Sequence, residues 1–364
     1  MKHVLFLISR DDKNVGGSEE VLRLVANHYL ANGDDVHVFF LKEKLGGYWE
    51  SVKRPNLHLY YSSGGGKMGI FSVIRNFRSV KNIRFDYSYS CIVLENALVG
   101  LFQRLGIVNI EHIVVRESTL VFQRFKGMRR AWRKLLYKVG YKPAALVVCQ
   151  TSQMKKELLE NLPRIDKGRL VEVVPNPISI DTIREKEKEN IDLGKYGDYI
   201  VAAGRLIDEK GFDILLQSFS SLEVQDVNLL ILGEGYARES LSDLAKQLGI
   251  ENRVCLCGHV NNVFPYFRQA RLCVVSSRVE GFPNVLLQMM SQNVNVVSTL
   301  CFGDMDIIDG VFTCVPGDSS ALLSAMRECL AIDNRDKRAL FDTQLANISV
   351  KNFVKTVESY CKED

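Results

Sequence analysis

At 364 residues the chain is long enough for two domains, and its 46% of hydrophobic residues can fill sizeable cores. Its nine cysteines are scattered and show no paired metal-ligand spacing, which indicates reduced thiols in the cytoplasm rather than a disulfide framework. No run approaches the ~20 apolar residues of a membrane span, and the opening apolar segment is too short for a signal peptide.

Short apolar segments alternate with amphipathic segments, which predicts parallel sheets with helices between the strands. In the first half, strands are predicted near 3–9, 35–41, 57–61, 87–93, 110–115 and 145–149. The helices between them are predicted near 18–32, 70–83, 96–105, 128–141 and 152–161. After a charge-dense stretch, a second set of strands is predicted near 199–203, 228–232, 253–257, 272–275, 294–298 and 312–315.

The net charge of +4 conceals an asymmetry between the two halves. Residues 1–175 hold 28 basic and 16 acidic side chains, a balance of +12, which leaves −8 for the remainder. One basic cluster lies on the helix predicted at 70–83 and comprises Arg75, Arg78, Lys81 and Arg84. A second cluster, interleaved with aromatic and aliphatic residues, comprises Arg124, Lys126, Arg129, Arg130, Arg133, Lys134, Lys138 and Lys142.

Three interpretations of this basic surface are open. A basic helix with aromatic residues suits an anionic membrane, whereas the plainest alternative is a solvated helix face with its apolar side in the core. Nucleic acid would respond to the same field, but no nucleic-acid motif accompanies the charge, so we expect no nucleic-acid partner.

The loop after the strand at 199–203 carries two cations, Arg205 and Lys210, and leads into a helix near Phe212. Two cations beside the free amides of a helix start can neutralise a diphosphate without a metal ion. The alternative is a pair of solvated surface charges.

A second loop of the same form follows the strand near 272–275. It carries Glu280 and then Pro283, which suits the first turn of a helix because that position needs no amide hydrogen. Helix-start amides attract an anion, while a carboxylate can hold hydroxyl groups beside it. This combination suits a phosphorylated sugar.

Together these segments resemble the retaining GT-B glycosyltransferases of family 4, over nearly the whole chain. The matching motifs, in order, are Gly16-Gly17-Ser18-Glu19, Val174-Pro175-Asn176-Pro177, Gly204-Arg205 with Lys210-Gly211, Leu232-Gly233-Glu234-Gly235 and Glu280-Gly281-Phe282-Pro283-Asn284. The resemblance implies an α/β GT-B fold, in which two Rossmann-like domains with parallel sheets face a central cleft. It implies an N-terminal domain at 1–175, a donor-binding domain at 176–346 and a C-terminal helix at 347–364 that packs back on the first domain.

The resemblance also implies roles for individual residues. Arg205 and Lys210 match the pair that binds the donor diphosphate, and Glu280 matches the first acid of an E-x7-E motif beside the donor sugar. These three are the implied catalytic residues. The amides of the following loop are expected to face phosphate and sugar, and an N-terminal glycine pair lets the backbone approach the donor. The loop residues are Gly281, Phe282, Pro283 and Asn284, and the glycines are Gly16 and Gly17.

The sequence departs from the family pattern at three places. Gln288 stands where the second acid of E-x7-E usually holds the ribose hydroxyls, so a charge-assisted bond is lost there. Arg116 and Glu117 occupy a region where some members carry an acceptor-side histidine; they either line the cleft or form a buried structural ion pair. Residues 301–306 replace the usual G-x-P-E loop. Asp304 and Asp306 match the D-x-D pattern of a metal-binding motif. They fall where the family has backbone contacts to phosphate, so no metal is expected.

The implied activity is retaining, metal-independent transfer of a sugar from a nucleotide sugar, with UDP-hexose or UDP-N-acetylhexosamine expected. The acceptor is expected to be a polyprenyl-diphosphate-linked oligosaccharide of O-antigen or capsule synthesis, at an anionic membrane surface. No cofactor is expected, and the location is the cytoplasmic face of the cell membrane. The alternatives are a GT-B nucleotide-sugar epimerase and a non-catalytic nucleotide-binding scaffold.

Overall fold

The computed structural model describes residues 1–11, 17–44, 46–63, 67–224, 226–305 and 308–362. It divides into two compact units. The first contains Met1–Pro177 and Val350–Asp364, and the second contains Ile178–Ser349. The C-terminal segment therefore belongs to the first unit, although it follows the second unit in sequence.

The first unit is built on a seven-stranded sheet of order β3-β2-β1-β4-β5-β6-β7, in which the strands pair in parallel. Its strands are β1 His3–Ile8, β2 Asp35–Phe40, β3 Leu57–Tyr60, β4 Arg84–Ser90, β5 Asn109–Arg116, β6 Leu146–Cys149 and β7 Leu170–Val173. Its helices are α1 Gly17–Ala31, α2 Tyr48–Ser51, α3 Lys67–Ser79, α4 Val93–Arg104, α5 Val121–Arg124, α6 Gly127–Gly140 and α7 Ser152–Asn161, with the last helix of the chain, Val350–Lys362, joining them.

Both faces of this sheet are buried, which explains the nearly continuous apolar strands. One face packs against α1 and the last helix of the chain through residues such as Leu22 and Val357. The other face packs against α3, α4, α6 and α7 through residues such as Phe77 and Phe102. The last helix is fixed further by Glu358, which forms a salt bridge with Lys2 and accepts a hydrogen bond of 2.9 Å from the Tyr29 hydroxyl.

The second unit has a six-stranded sheet of order β10-β9-β8-β11-β12-β13, again with parallel pairing. Its strands are β8 Asp198–Ala203, β9 Val227–Leu232, β10 Val254–Gly258, β11 Leu272–Val275, β12 Val296–Thr299 and β13 Phe312–Cys314. Its helices are α8 Ile180–Lys186, α9 Phe212–Ser220, α10 Arg238–Gln247, α11 Phe264–Gln269, α12 Asn284–Gln292, α13 Ser319–Ala331 and α14 Lys337–Asn347; the helix at 350–362 is α15.

The strand order of the second sheet reverses between β8 and β11, which are neighbours. In open parallel sheets, ligands bind outside the carboxyl ends of the strands at such a switch point. The two loops that leave these strands are the β8–α9 loop and the β11–α12 loop. They carry the two charged motifs found in the sequence.

Two predictions for the first unit are wrong: where the helix predicted at 70–83 ends, and that four basic residues lie on that helix. The helix predicted at 70–83 ends at Ser79, so Lys81 lies in a turn and Arg84 begins β4, outside the helix that carries Arg75 and Arg78. The turn, closed by the amide of Ile83 on the carbonyl of Val80, is needed because the chain must reverse before it enters a parallel strand. The four basic residues therefore do not share one helix face.

Among the described residues, no helix has both the length and the apolar character needed to cross a bilayer.

Candidate donor site of the second unit

The β8–α9 loop is held by the last residue of β9 and by the loop that follows this strand. The amide of Gly204 donates to the carbonyl of Leu232 at 2.9 Å, and the amide of Leu206 donates to the carbonyl of Glu234 at 2.9 Å. Arg205 lies between these two fixed points and is exposed. Within the ranges that the structure describes, the Arg205 guanidinium forms no salt bridge, so this cation is available to an anionic ligand.

The end of the same loop requires a glycine. Gly211 has a φ of 60°, in the left-handed region, and directly precedes α9. A Cβ atom at this position would lie 2.2 Å from the carbonyl oxygen of Ser276, so no side chain fits without backbone movement. The close approach brings the β8–α9 loop against the β11–α12 loop, directly after Lys210.

Lys210 and Glu280, which are 70 residues apart in sequence, form a salt bridge between the two loops. The Glu280 carboxylate also accepts a hydrogen bond of 2.7 Å from the Ser277 hydroxyl. Their side chains are 18% and 14% exposed, so the pair is largely sheltered while one edge remains open to solvent. The Glu280 amide donates to the carbonyl of Cys301 at 2.7 Å, which ties this loop to the end of β12.

The segment after Glu280 turns into α12. Phe282 is buried and its ring contacts the Phe302 ring at a centroid distance of 5.0 Å. Helix α12 begins at Asn284, so Pro283 occupies the position before the first turn rather than the first turn itself. Gly281 and Asn284 are half-buried beside them. Burial beside Glu280 raises the pKa of the Cys301 thiol to about 12, so this neighbour stays protonated at neutral pH.

Gln288 lies in α12 and is half-buried. Among the described residues its side chain makes no hydrogen bond, so its amide is available to a ligand hydroxyl. A carboxylate there would accept a charge-assisted bond instead.

We expect Gln288→Glu to lower the KM for the nucleotide-sugar donor several-fold while changing kcat little, because a ribose contact lies away from the reacting centre. Steady-state kinetics with varied donor concentration measure this, and the control is Gln247→Glu at the end of α10, an exposed glutamine whose side chain makes no hydrogen bond to any described residue. A large fall in kcat at unchanged KM would place residue 288 at the chemistry instead.

In the first unit, the structure locates only part of the predicted glycine pair. Gly17 is the first residue of α1, where Glu19 and Glu20 lie in the first turn. Gly16 lies outside the described residues. The proposed approach of this loop to a donor stays a prediction.

Arg116 and Glu117 are both buried, but the structure shows no salt bridge between them. The Arg116 guanidinium donates to the side-chain oxygen of Asn176, whereas the Glu117 carboxylate accepts from the hydroxyls of Tyr137 and Tyr141. Burial lowers the pKa of Arg116 to about 10 and raises the pKa of Glu117 to about 7. The alternative of a buried ion pair between Arg116 and Glu117 is therefore wrong. Consecutive residues at the end of a strand face opposite sides of the sheet, so their side chains point apart. An acceptor-side role stays a prediction.

Three residues of the second-unit site were not predicted from the sequence. Ser277 contacts Glu280, and Arg278 of the β11–α12 loop forms a two-bonded salt bridge with Asp213 in the first turn of α9, with distances of 2.8 and 2.6 Å. Ser277 is the second residue after the end of β11, and a polar residue beyond the carboxyl end of a central strand is a usable signal. No local pattern links Arg278 with Asp213.

Two family models match this chain in succession. Residues 15–182 match the model described as Glycosyltransferase Family 4, and residues 197–331 match the model described as Glycosyl transferases group 1. The chain belongs to the family 4 glycosyltransferases. The family assignment predicted from the sequence motifs is confirmed, and the chain is an enzyme of the glycosyltransferase class.

Individual family 4 relatives differ in how much they share with it. An uncharacterized glycosyltransferase of Methanocaldococcus jannaschii is 32% identical over 174 residues, which are 46% of this chain and only 42% of that protein. A Campylobacter jejuni protein is 25% identical over 293 residues, or 78% of this chain and 77% of that one. Its name is N-acetylgalactosamine-N,N'-diacetylbacillosaminyl-diphospho-undecaprenol 4-alpha-N-acetylgalactosaminyltransferase.

The predicted GT-B fold is confirmed by solved structures. The crystal structure of Anabaena HepE in complex with UDP and glucose matches with a TM-score of 0.78 over 100% of both chains, at 17% identity. At this identity the likeness establishes the fold alone. In this family 4 glycosyltransferase, Arg205, Lys210 and Glu280 lie on the loops that follow β8 and β11 of the second parallel sheet.

Proposed function

We propose that this protein is a retaining, metal-independent glycosyltransferase whose second unit binds a nucleotide-sugar donor. The observation that carries the proposal is the Lys210–Glu280 salt bridge at the switch point of the second sheet, with Ser277 on the same carboxylate. Arg205 adds an exposed cation on the same loop as Lys210. Cations and a carboxylate on adjoining loops match the two ends of a sugar diphosphate.

The salt bridge suggests how the site exchanges partners when a donor binds. A diphosphate carries more charge than a carboxylate and competes for the Lys210 ammonium, with Arg205 as a second cation. Glu280 keeps its hydrogen bond from the Ser277 hydroxyl. The lone pairs that Lys210 releases can then accept hydrogen bonds from the hydroxyl groups of the sugar. Charge that develops on the leaving diphosphate is then stabilised by fixed cations, which is the main electrostatic requirement of the transfer. A leaving phosphate oxygen takes the proton of the acceptor hydroxyl, so no separate protein base is needed.

The proposed donor and acceptor are taken from the substrates that the names of two similar proteins state. HepE was crystallised with UDP and glucose, and the Campylobacter relative acts on a diphospho-undecaprenol-linked sugar. We therefore propose UDP-hexose or UDP-N-acetylhexosamine as donor and a polyprenyl-diphosphate-linked oligosaccharide of surface polysaccharide synthesis as acceptor.

A panel of nucleotide sugars in excess EDTA tests this proposal. With a polyprenyl-diphosphate-linked acceptor, we expect release of UDP from one donor at an unchanged rate with or without chelator, because Arg205 and Lys210 replace a divalent ion. The product should retain the anomeric configuration of the donor. Activity that vanished with EDTA and returned with Mg²⁺ or Mn²⁺ would contradict metal independence, and donor epimerisation without transfer would favour an epimerase.

We further propose that helix α6 binds the cytoplasmic face of an anionic membrane. Met128, Trp132 and Leu135 recur at helical spacing and are 89%, 58% and 47% exposed, so they form an apolar strip on the outer side of α6. Arg129 and Lys138 are exposed on the same helix. Arg130, Arg133 and Lys134 instead lie over the rings of Phe122 and Phe125. An apolar strip with basic neighbours is typical of helices that lie in the membrane interface.

Liposome co-sedimentation checks the membrane proposal. We expect binding to anionic but not neutral vesicles, weakening at 1 M salt, where the Debye length falls to about 3 Å. Replacement of Met128 and Trp132 by serine should lower the bound fraction at least about fivefold. The matched control is Ile332→Ser with Leu340→Ser, two exposed apolar residues of the second unit. Equal binding by both double variants would favour a solvated face and a soluble acceptor.

A further inference from the structure

Three consecutive carbonyl groups of the β8–α9 loop are fixed by the β11–α12 loop. The carbonyl of Asp208 accepts from the Arg278 guanidinium at 2.7 Å, and the carbonyl of Glu209 accepts from the Arg278 amide at 2.7 Å. The carbonyl of Lys210 accepts from the Ser276 hydroxyl at 2.9 Å. The backbone that carries Lys210 is therefore fixed mainly by a residue two positions before Glu280.

The Arg278 guanidinium also holds the start of helix α9. Its two terminal nitrogens donate to the two carboxylate oxygens of Asp213 at 2.8 and 2.6 Å. These bonds lower the pKa of Asp213, so the carboxylate is ionised throughout the neutral range. One side chain thus joins the 3₁₀ turn at 208–210, the first turn of α9 and the Glu280 loop.

The Arg278–Asp213 ion pair differs from two other arginine–aspartate pairs of the second unit because it joins distant segments of the chain. Arg338 pairs with Asp342 four residues away on α14, and Arg335 pairs with Asp333 two residues away, so both act within one segment. Arg278 and Asp213 are 65 residues apart and join two segments of the site. Their side chains are 36% and 39% exposed, and exposed pairs contribute little to global stability.

We propose that Arg278 is a positioning residue for sugar transfer, which holds the Lys210 ammonium in place for the donor diphosphate through the Asp208–Lys210 turn. This inference rests on the proposed function, because it assigns Lys210 to the diphosphate. It adds a residue that acts through Lys210 and does not itself contact the donor. A bidentate guanidinium is required, since a lysine cannot bond both Asp213 oxygens and the carbonyl of Asp208 in one plane.

A double-mutant cycle tests whether Arg278 acts through Lys210. We expect Arg278→Gln to lower kcat/KM for the donor about fivefold to tenfold in the wild-type background. In the Lys210→Ala background the same change should lower kcat/KM less than twofold, because the residue being positioned is absent. Arg278→Lys should fail to restore activity. Arg338→Gln, which breaks the salt bridge within α14, is the matched control and should leave kcat/KM unchanged.

Amide hydrogen exchange gives a readout that does not depend on any substrate. We expect the peptide covering residues 208–213 to exchange faster in Arg278→Gln than in wild type or Arg338→Gln, with little change in melting temperature. Equal, additive losses in both backgrounds, or unchanged exchange at 208–213, would overturn the inference. If no nucleotide sugar is a donor, the proposed function fails, and hydrogen exchange alone decides whether Arg278 holds the turn.

Discussion

Lys210→Ala should lower kcat/KM for the nucleotide-sugar donor at least about tenfold, and Arg205→Ala should do the same. Each change removes a charge-assisted contact to the diphosphate, and a tenfold loss corresponds to about 1.4 kcal/mol of transition-state stabilisation. For Lys210 the loss should be larger, because its removal also leaves the largely sheltered Glu280 carboxylate without its cation. Transfer assays on purified variants that melt cooperatively measure both effects.

The first unit supplies a matched control for the lysine. Lys2 forms a salt bridge with Glu358, which also accepts a hydroxyl hydrogen bond, so its surroundings resemble those of Lys210. Lys2→Ala should cost stability without a specific loss of transfer. Near-wild-type turnover in folded Lys210→Ala and Arg205→Ala would remove both residues from the donor site.

Glu280→Gln should lower kcat by about 100-fold while the protein stays folded. The amide keeps the shape of the carboxylate and can still accept from Ser277, but it loses the charge that pairs with Lys210 and the strong acceptor for sugar hydroxyls. Loss of one well-placed electrostatic contact to a reacting centre costs about 10²–10³ in kcat. Single-turnover transfer with saturating donor isolates this effect from binding.

Glu358→Gln is the corresponding control, because Glu358 also holds one lysine and one hydroxyl group. We expect it to leave kcat within about twofold of wild type. If Glu280→Gln lowered stability as much as Glu358→Gln and left kcat intact, Glu280 would be a structural partner of Lys210 and not a contact of the sugar.

Much of the fold was predictable because it follows from local patterns. Strands such as β6 and β11 are continuous apolar runs, and Gly211 and Pro283 mark helix starts within one residue. The α/β class with parallel sheets follows from the alternation of these elements. Errors arose where the pattern was ambiguous. The apolar residues after Ser79 continue the helical spacing, but the chain turns there to enter β4.

The contacts of the site were less predictable, because they join distant segments. The sequence placed Lys210 and Glu280 on loops after two strands, but only the sheet order makes those loops neighbours. The Arg278–Asp213 pair depends on the same adjacency. Likewise, nothing local to Glu117 indicates that its carboxylate meets the hydroxyl of Tyr141, 24 residues away. Side-chain partners across a fold are set by packing, which a single sequence does not display.

Calorimetric titration of the 364-residue protein with UDP, GDP and ADP in EDTA tests the central claim most directly, since it needs neither acceptor nor donor sugar. We predict that UDP binds at one site per chain without metal, and that its affinity falls at least about tenfold in Lys210→Ala but not in Lys2→Ala. Absence of binding by all three nucleotides, or equal affinity in wild type and Lys210→Ala, would contradict a donor site built on Arg205, Lys210 and Glu280.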